Sequence, residues 1–89
     1  MLSEQALSIL QQFETFGASK VLEQKFYSGV VLHPLDGKSG SFELNDQRFL
    51  EDDLRGLLRL GLLELSHNSK GDRVFHCTRA ASALINARG

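Results

Sequence analysis

Apolar residues recur every three or four positions near the start of the chain: Ala6, Ile9, Leu10, Phe13 and Phe16. That period puts them on one stripe and predicts a helix over residues 4–16. Ser3 stands at the N-cap position, and Glu4 sits at the positive end of the helix dipole. Leu2 and Leu7 have the spacing of a hydrophobic staple, and Gly17 ends the pattern.

The next stretch has no single period. Val21, Leu22 and Phe26 predict a short helix over residues 18–27 with those three side chains inward. Gly29 to His33 is a β-branched run and reads as a strand that Pro34 ends. Leu35 to Gly40 is rich in turn residues, and Ser41 to Leu44 reads as a returning strand. A small hairpin over residues 29–44 follows.

The clearest periodicity spans residues 46–60. Phe49, Leu50, Leu54, Leu57, Leu58 and Leu60 share one arc of a helix; Arg48, Glu51, Asp52, Arg55 and Arg59 share the other. Asn45 caps this helix, Asp53 falls at the rim of the apolar arc, and Gly61 follows as a C′ glycine. Leu62 to Ser66 then alternates as a strand. His67 to Asp72 is a polar loop, and Arg73 to Cys77 is a second strand, so the two form a hairpin. Thr78 is placed to cap an Ala-rich helix over residues 79–87, whose apolar residues lie on most faces. Strand alternation puts Phe75 and Cys77 on one face and Val74 and His76 on the other.

The chain has 89 residues, 42% of them hydrophobic and 24% charged. That length supports one domain over residues 1–89 around one core. The formal net charge of −1 excludes a binder that works by bulk positive charge. The distribution is uneven, however. Residues 1–45 hold three basic and five acidic groups, residues 46–60 three and four, and residues 61–89 four and two. All six arginines lie from Arg48 onward. One cysteine, Cys77, excludes an internal disulfide, and with no signal peptide or membrane span the expectation is a cytoplasmic protein.

From residue 46 the words are FLEDDLRGLLRLGLLEL, SHNSKGD and RVFHCTRAASALI. Their order is helix, glycine, strand, polar loop, strand, Thr-capped helix. This resembles the second half of a bacterial winged-helix domain, over residues 46–87. The resemblance implies an α+β, winged helix-turn-helix fold of three or four helices with a C-terminal two-stranded wing hairpin. Helix 46–60 would be the recognition helix and residues 4–16 the first helix. Residues 18–27 would be the second, and the long connection to residue 46 must carry structure of its own, such as the 29–44 hairpin. The resemblance also points Cys77 to the core, with Phe75, Leu63 and Leu65 beside it.

Arg48, Arg55 and Arg59, spaced seven and four apart, form one ridge of helix 46–60. In a DNA-binding winged helix that ridge enters the major groove, where arginine reads guanine or grips phosphate. Lys70 and Arg73 flank the wing loop and would touch the backbone. The resemblance therefore implies double-stranded DNA as partner and a transcriptional regulator acting as a homodimer, with the apolar C-terminal helix and residues 4–16 as the interface. Against this stand Asp46, Glu51, Asp52 and Asp53 in the same half of the helix, which repel phosphate. The alternative is a winged-helix module that binds protein, docking through Tyr27, Phe42 or Leu44. A continuous positive face over helix 46–60 and loop 67–72 would favour DNA. A mixed face with exposed apolar side chains would favour protein.

Other chemistry finds little support. Gly37-Lys38-Ser39 lacks the earlier glycine of a phosphate-binding loop, where Leu32 stands. His33, His67, His76 and Cys77 have no metal-ligand spacing, and His76 and Cys77 point to opposite strand faces. Glu51, Asp52 and Asp53 diverge around a helix and cannot converge on one reacting atom. Neither enzyme activity, a metal nor a cofactor is expected.

Overall fold

The computed structural model describes residues 2–42 and 51–88. The first helix forms where the periodicity puts it, as α1 (Glu4–Phe16). The Ser3 hydroxyl accepts the Ala6 N–H at 3.1 Å. Gly17 turns left-handed at the other end, and its N–H and that of Ala18 close onto Glu14 and Phe13 carbonyls.

The chain then departs from the expected second helix. Residues 18–27 contribute a strand instead, β1 (Lys20–Phe26), which turns through Tyr27 and Ser28 into β2 (Gly29–Pro34). The pairing of β2 is therefore back to β1, with Phe26 opposite Gly29 and Val21 opposite Pro34. The expected return of residues 41–44 onto β2 is represented among the described residues by one backbone hydrogen bond, from the Phe42 N–H to the Leu32 carbonyl at 2.8 Å. Ser41 and Phe42 are not in a strand, and Glu43 and Leu44 lie outside the described residues. The reason is visible in burial: Val21 and Glu23 are buried while Leu22 is half-exposed and Gln24 exposed. That period of two belongs to a strand.

The remaining elements follow the predicted order. They are α2 (Glu51–Arg59), β3 (Leu63–His67), β4 (Arg73–Cys77) and α3 (Arg79–Arg88). The start of the expected helix, with Asn45, Asp46, Arg48, Phe49 and Leu50, lies outside the described residues. Gly61 and Leu62 N–H groups close α2 onto the Leu58 and Leu57 carbonyls. Thr78 caps α3 by accepting the Ala81 N–H at 3.2 Å, and its own hydroxyl donates to the Gly61 carbonyl at 2.8 Å.

All four strands join one antiparallel sheet in the order β2-β1-β4-β3. The result is an α+β architecture of three helices on a four-stranded sheet among the described residues. Helix and sheet share one core that includes Ile9, Leu10, Phe13, Val21, Leu32, Leu54, Leu57, Leu63, Phe75, Ala81 and Ile85. Burying each large aliphatic or aromatic side chain contributes about 1.5–3 kcal/mol. Cys77 packs half-buried against this core, and Val74 is buried outside it, on the opposite sheet face as expected. Three positions expected inward are exposed, Phe26 at the end of β1 among them. Leu65 is on the outermost strand, and Leu60 lies beyond the last turn of α2.

The segment after β2 is held tightly. Asp36 accepts the Ser19 N–H at 2.8 Å and the Ser19 hydroxyl. Lys38 donates its N–H to the Phe16 carbonyl at 2.8 Å. Gly37 adopts φ +74°, and a Cβ there would lie 2.2 Å from the Phe16 carbonyl oxygen. The Gly37-Lys38 turn is thus a packing device against the end of α1. Phe42 follows, its ring 5.1 Å from that of Phe13 in an edge arrangement.

Candidate functional site

The outward side of α2 carries Glu51, Asp52, Arg55 and Arg59, all exposed. These are the positions left over once Leu54 and Leu57 turn into the core. Arg55 and Arg59 are one turn apart and reach solvent together. Arg55 lies 3.9 Å from Asp52. An ion pair this long and this exposed adds little stability. Arg48, the third member of the expected ridge, lies outside the described residues.

Lys70 is at the tip of the β3–β4 hairpin and exposed. The tip is organised by Asn68, whose side-chain oxygen accepts the N–H groups of Lys70 and Asp72, each at 2.9 Å. Its amide nitrogen donates to the Asp72 carboxylate at 3.2 Å. The single tip cation is therefore accompanied by a carboxylate.

Arg73 corrects the expectation of an outward, phosphate-facing arginine. Its parity along β4 turns it to the same side as Phe75, where its guanidinium carbon sits 5.1 Å from the Phe75 ring centroid. Its Nε donates to Glu23 Oε1 at 2.9 Å, and Nη2 also meets Glu23 Oε2. Nη1 donates to Glu51 Oε1 at 2.9 Å and Nη2 to Glu51 Oε2 at 2.6 Å. One guanidinium thus clasps two carboxylates and ties β4 to both β1 and α2. Its hydrogen bonds to Glu23 and then to Glu51 push the Arg73 pKa up. In turn, the hydrogen bond from Arg73 leads the effects that lower the Glu51 pKa; burial opposes it, while the charges of Arg73, Lys25 and Arg55 add to it. Glu23 has only 2% of its side chain exposed, which fits the rule that a buried charge is paired. No local motif marks this cluster, because its three members come from three elements.

Beside the clasp the two hairpins diverge. β1 pairs with β2 as far as Phe26, but with β4 only over Lys20–Leu22. A cleft of about 470 Å³ opens there, lined by Leu22, Gln24, Lys25, His33, Asp72 and Arg73 among others. At its rim His33 Nε2 and Gln24 Oε1 are 2.7 Å apart. Of the side chains expected to dock a partner, Phe42 is buried in the core and Leu44 lies outside the described residues. Tyr27, at the turn of the first hairpin, is fully exposed next to the 41%-exposed Phe26.

The apolar residues expected to form a dimer interface are largely spent internally. Ile9, Phe13, Ala81 and Ile85 belong to the core. Cys77 lies in a second cleft with Phe13, Ser82 and Ile85, and burial pushes its thiol pKa up. Among the described residues no group of three His, Cys, Asp or Glu side chains could hold a metal ion, and no helix is long and apolar enough to cross a membrane.

Comparison with known proteins returns no match: no family model, no curated protein and no solved structure is similar to the chain.

Proposed function

We propose that the chain is a winged-helix-like domain that binds a protein partner. The winged-helix part of the reading is supported by the run α2, β3, β4, α3, and by a sheet in which β1 flanks the β3–β4 hairpin. The β1–β2 hairpin stands where a second helix would complete a helix-turn-helix. The observation that carries the choice of partner is the charge on the outward side of α2. Asp52 lies beside Arg55 there, Asp72 shares the hairpin tip with Lys70, and Arg73 is neutralised by Glu23 and Glu51. Such a mixed surface lacks the continuous positive face that the phosphate backbone of a duplex engages. Exposed Tyr27 and Phe26 supply the aromatic contact that protein interfaces favour.

The test is a photo-crosslinking residue in place of Tyr27, with the same residue in place of Gln11 on α1 as control. A discrete protein adduct at the first position and not at the second supports the reading. No adduct at either position overturns it. The second reading, a DNA-binding regulator acting as a dimer, is favoured by the adjacent exposed Arg55 and Arg59 and by Lys70. Duplex binding tighter than about 1 µM at about 50 mM salt, with a steep salt dependence, would replace the first reading with the second.

A further inference from the structure

The two carboxylates on Arg73 do different things. Glu23 is behind the guanidinium, almost wholly buried, and fixes its plane and position. Glu51 keeps 44% of its side chain exposed and covers the adjacent, open edge with two hydrogen bonds, sharing Nη2 with Glu23. The charges of Lys25 on β1 and Arg55 on α2 act on that same carboxylate. Lys25 and Arg73 also line the cleft between the two hairpins. Arg73 thus holds a partly exposed carboxylate at the edge of a cleft that also presents Lys25, with Arg55 one turn further along α2.

We propose that the outer edge of Arg73, with Lys25 and Arg55, is a binding site for a side-chain carboxylate of an acidic partner segment, and that Glu51 occupies it in cis. The bound state is displayed by the protein itself, since Glu51 makes the forked contact that an external carboxylate would make. Of the two carboxylates on Arg73, Glu51 is the one that solvent reaches, so its pair is the one that exchange can open. A segment that presents several carboxylates, and engages Lys25 in the cleft at the same time, can displace it. Glu23 remains in place during the exchange, so Arg73 never becomes an unpaired buried charge. The identity of the ligand rests on the protein-binding reading above; the existence of the site rests on the clasp.

The experiment follows the Arg73 Nε–Hε resonance of the full chain while hexaglutamate peptide is added. Glu51→Gln removes the internal competitor while keeping its shape. It is expected to tighten peptide binding about tenfold relative to the unmodified chain. Lys25→Ala in the Glu51→Gln background, which leaves both remaining members of the clasp untouched, is expected to weaken it by about threefold to tenfold. Three results would overturn the proposal: no movement of the Arg73 signal at about 10 mM peptide, equal affinity with and without the Glu51 carboxylate, or movement by duplex DNA and not by peptide. Crosslinking at Tyr27 is independent of this resonance, so failure of one leaves the other readable.

Discussion

At the scale of single residues, Gly37 is the most tightly enclosed of the glycines compared among the described residues. It combines positive φ with a carbonyl oxygen where a Cβ would sit. Gly37→Ala is expected to lower stability by about 1–3 kcal/mol, read as a fall in the thermal midpoint. Two carboxyls link stability to pH in the same direction. Asp36 is held below its ordinary range first by the Ser19 hydroxyl, and Glu51 first by Arg73. A carboxyl with a lowered folded pKa contributes stability above its unfolded pKa and loses it as pH falls through the folded one. The thermal midpoint is thus expected to drop on acidification through and below the ordinary carboxylate range. Asp36→Asn should remove part of that drop, and a variant with an unchanged acid limb would contradict the assignment.

Among elements, the periodic ones were legible and the one with a hidden partner was not. Helix α1, the second hairpin and the Thr78-capped α3 announce themselves through caps and spacing. β1 is not legible as a strand because its inward positions are Val21 and Glu23, so the alternation is broken by a charged residue in a core position. What makes Glu23 acceptable there is Arg73, which is remote in sequence and near only in the folded sheet. The same long-range pairing explains why the clasp was missed and Arg73 was assigned to an outward role. Phe42 was legible as an anchor but not as an internal one, because the turn that delivers it to Phe13 depends on Gly37 meeting α1. Leu57→Ala, at a fully buried position, is expected to cost about 2–5 kcal/mol, and Phe42→Ala about 3–5 kcal/mol. A change near zero for Phe42→Ala in chemical denaturation would return that residue to the surface.

For the molecule as a whole, the clasp is where β1, β4 and α2 are bound together by charge in addition to packing. Removing one partner of a buried pair leaves the other charge stranded, at a cost of about 3–5 kcal/mol. Arg73→Met, which strands the buried Glu23, is therefore expected to be strongly destabilising, and Arg73→Met with Glu23→Leu much less so. A double-mutant cycle on denaturation free energies measures the difference, and additive effects would mean the pair is not coupled. By contrast, Arg55→Glu with Arg59→Glu alters only exposed side chains. It should leave the thermal midpoint within a few degrees, since surface substitutions change stability by about 0.5 kcal/mol or less.

The place of β1 between β2 and β4 also sets an order of events in time. Each hairpin closes locally, β1 with β2 through Tyr27-Ser28 and β3 with β4 through the Asn68 turn. The seam between them, Val21 against Phe75, joins opposite ends of the chain. Loop closure over that span is the slow entropic step, so the seam is the expected rate-limiting event of folding. Until it forms, Glu23 has no Arg73 beside it, and the first hairpin carries an unpaired charge on its would-be core face. A charge on that face is expected to disfavour packing of the early hairpin onto an apolar surface.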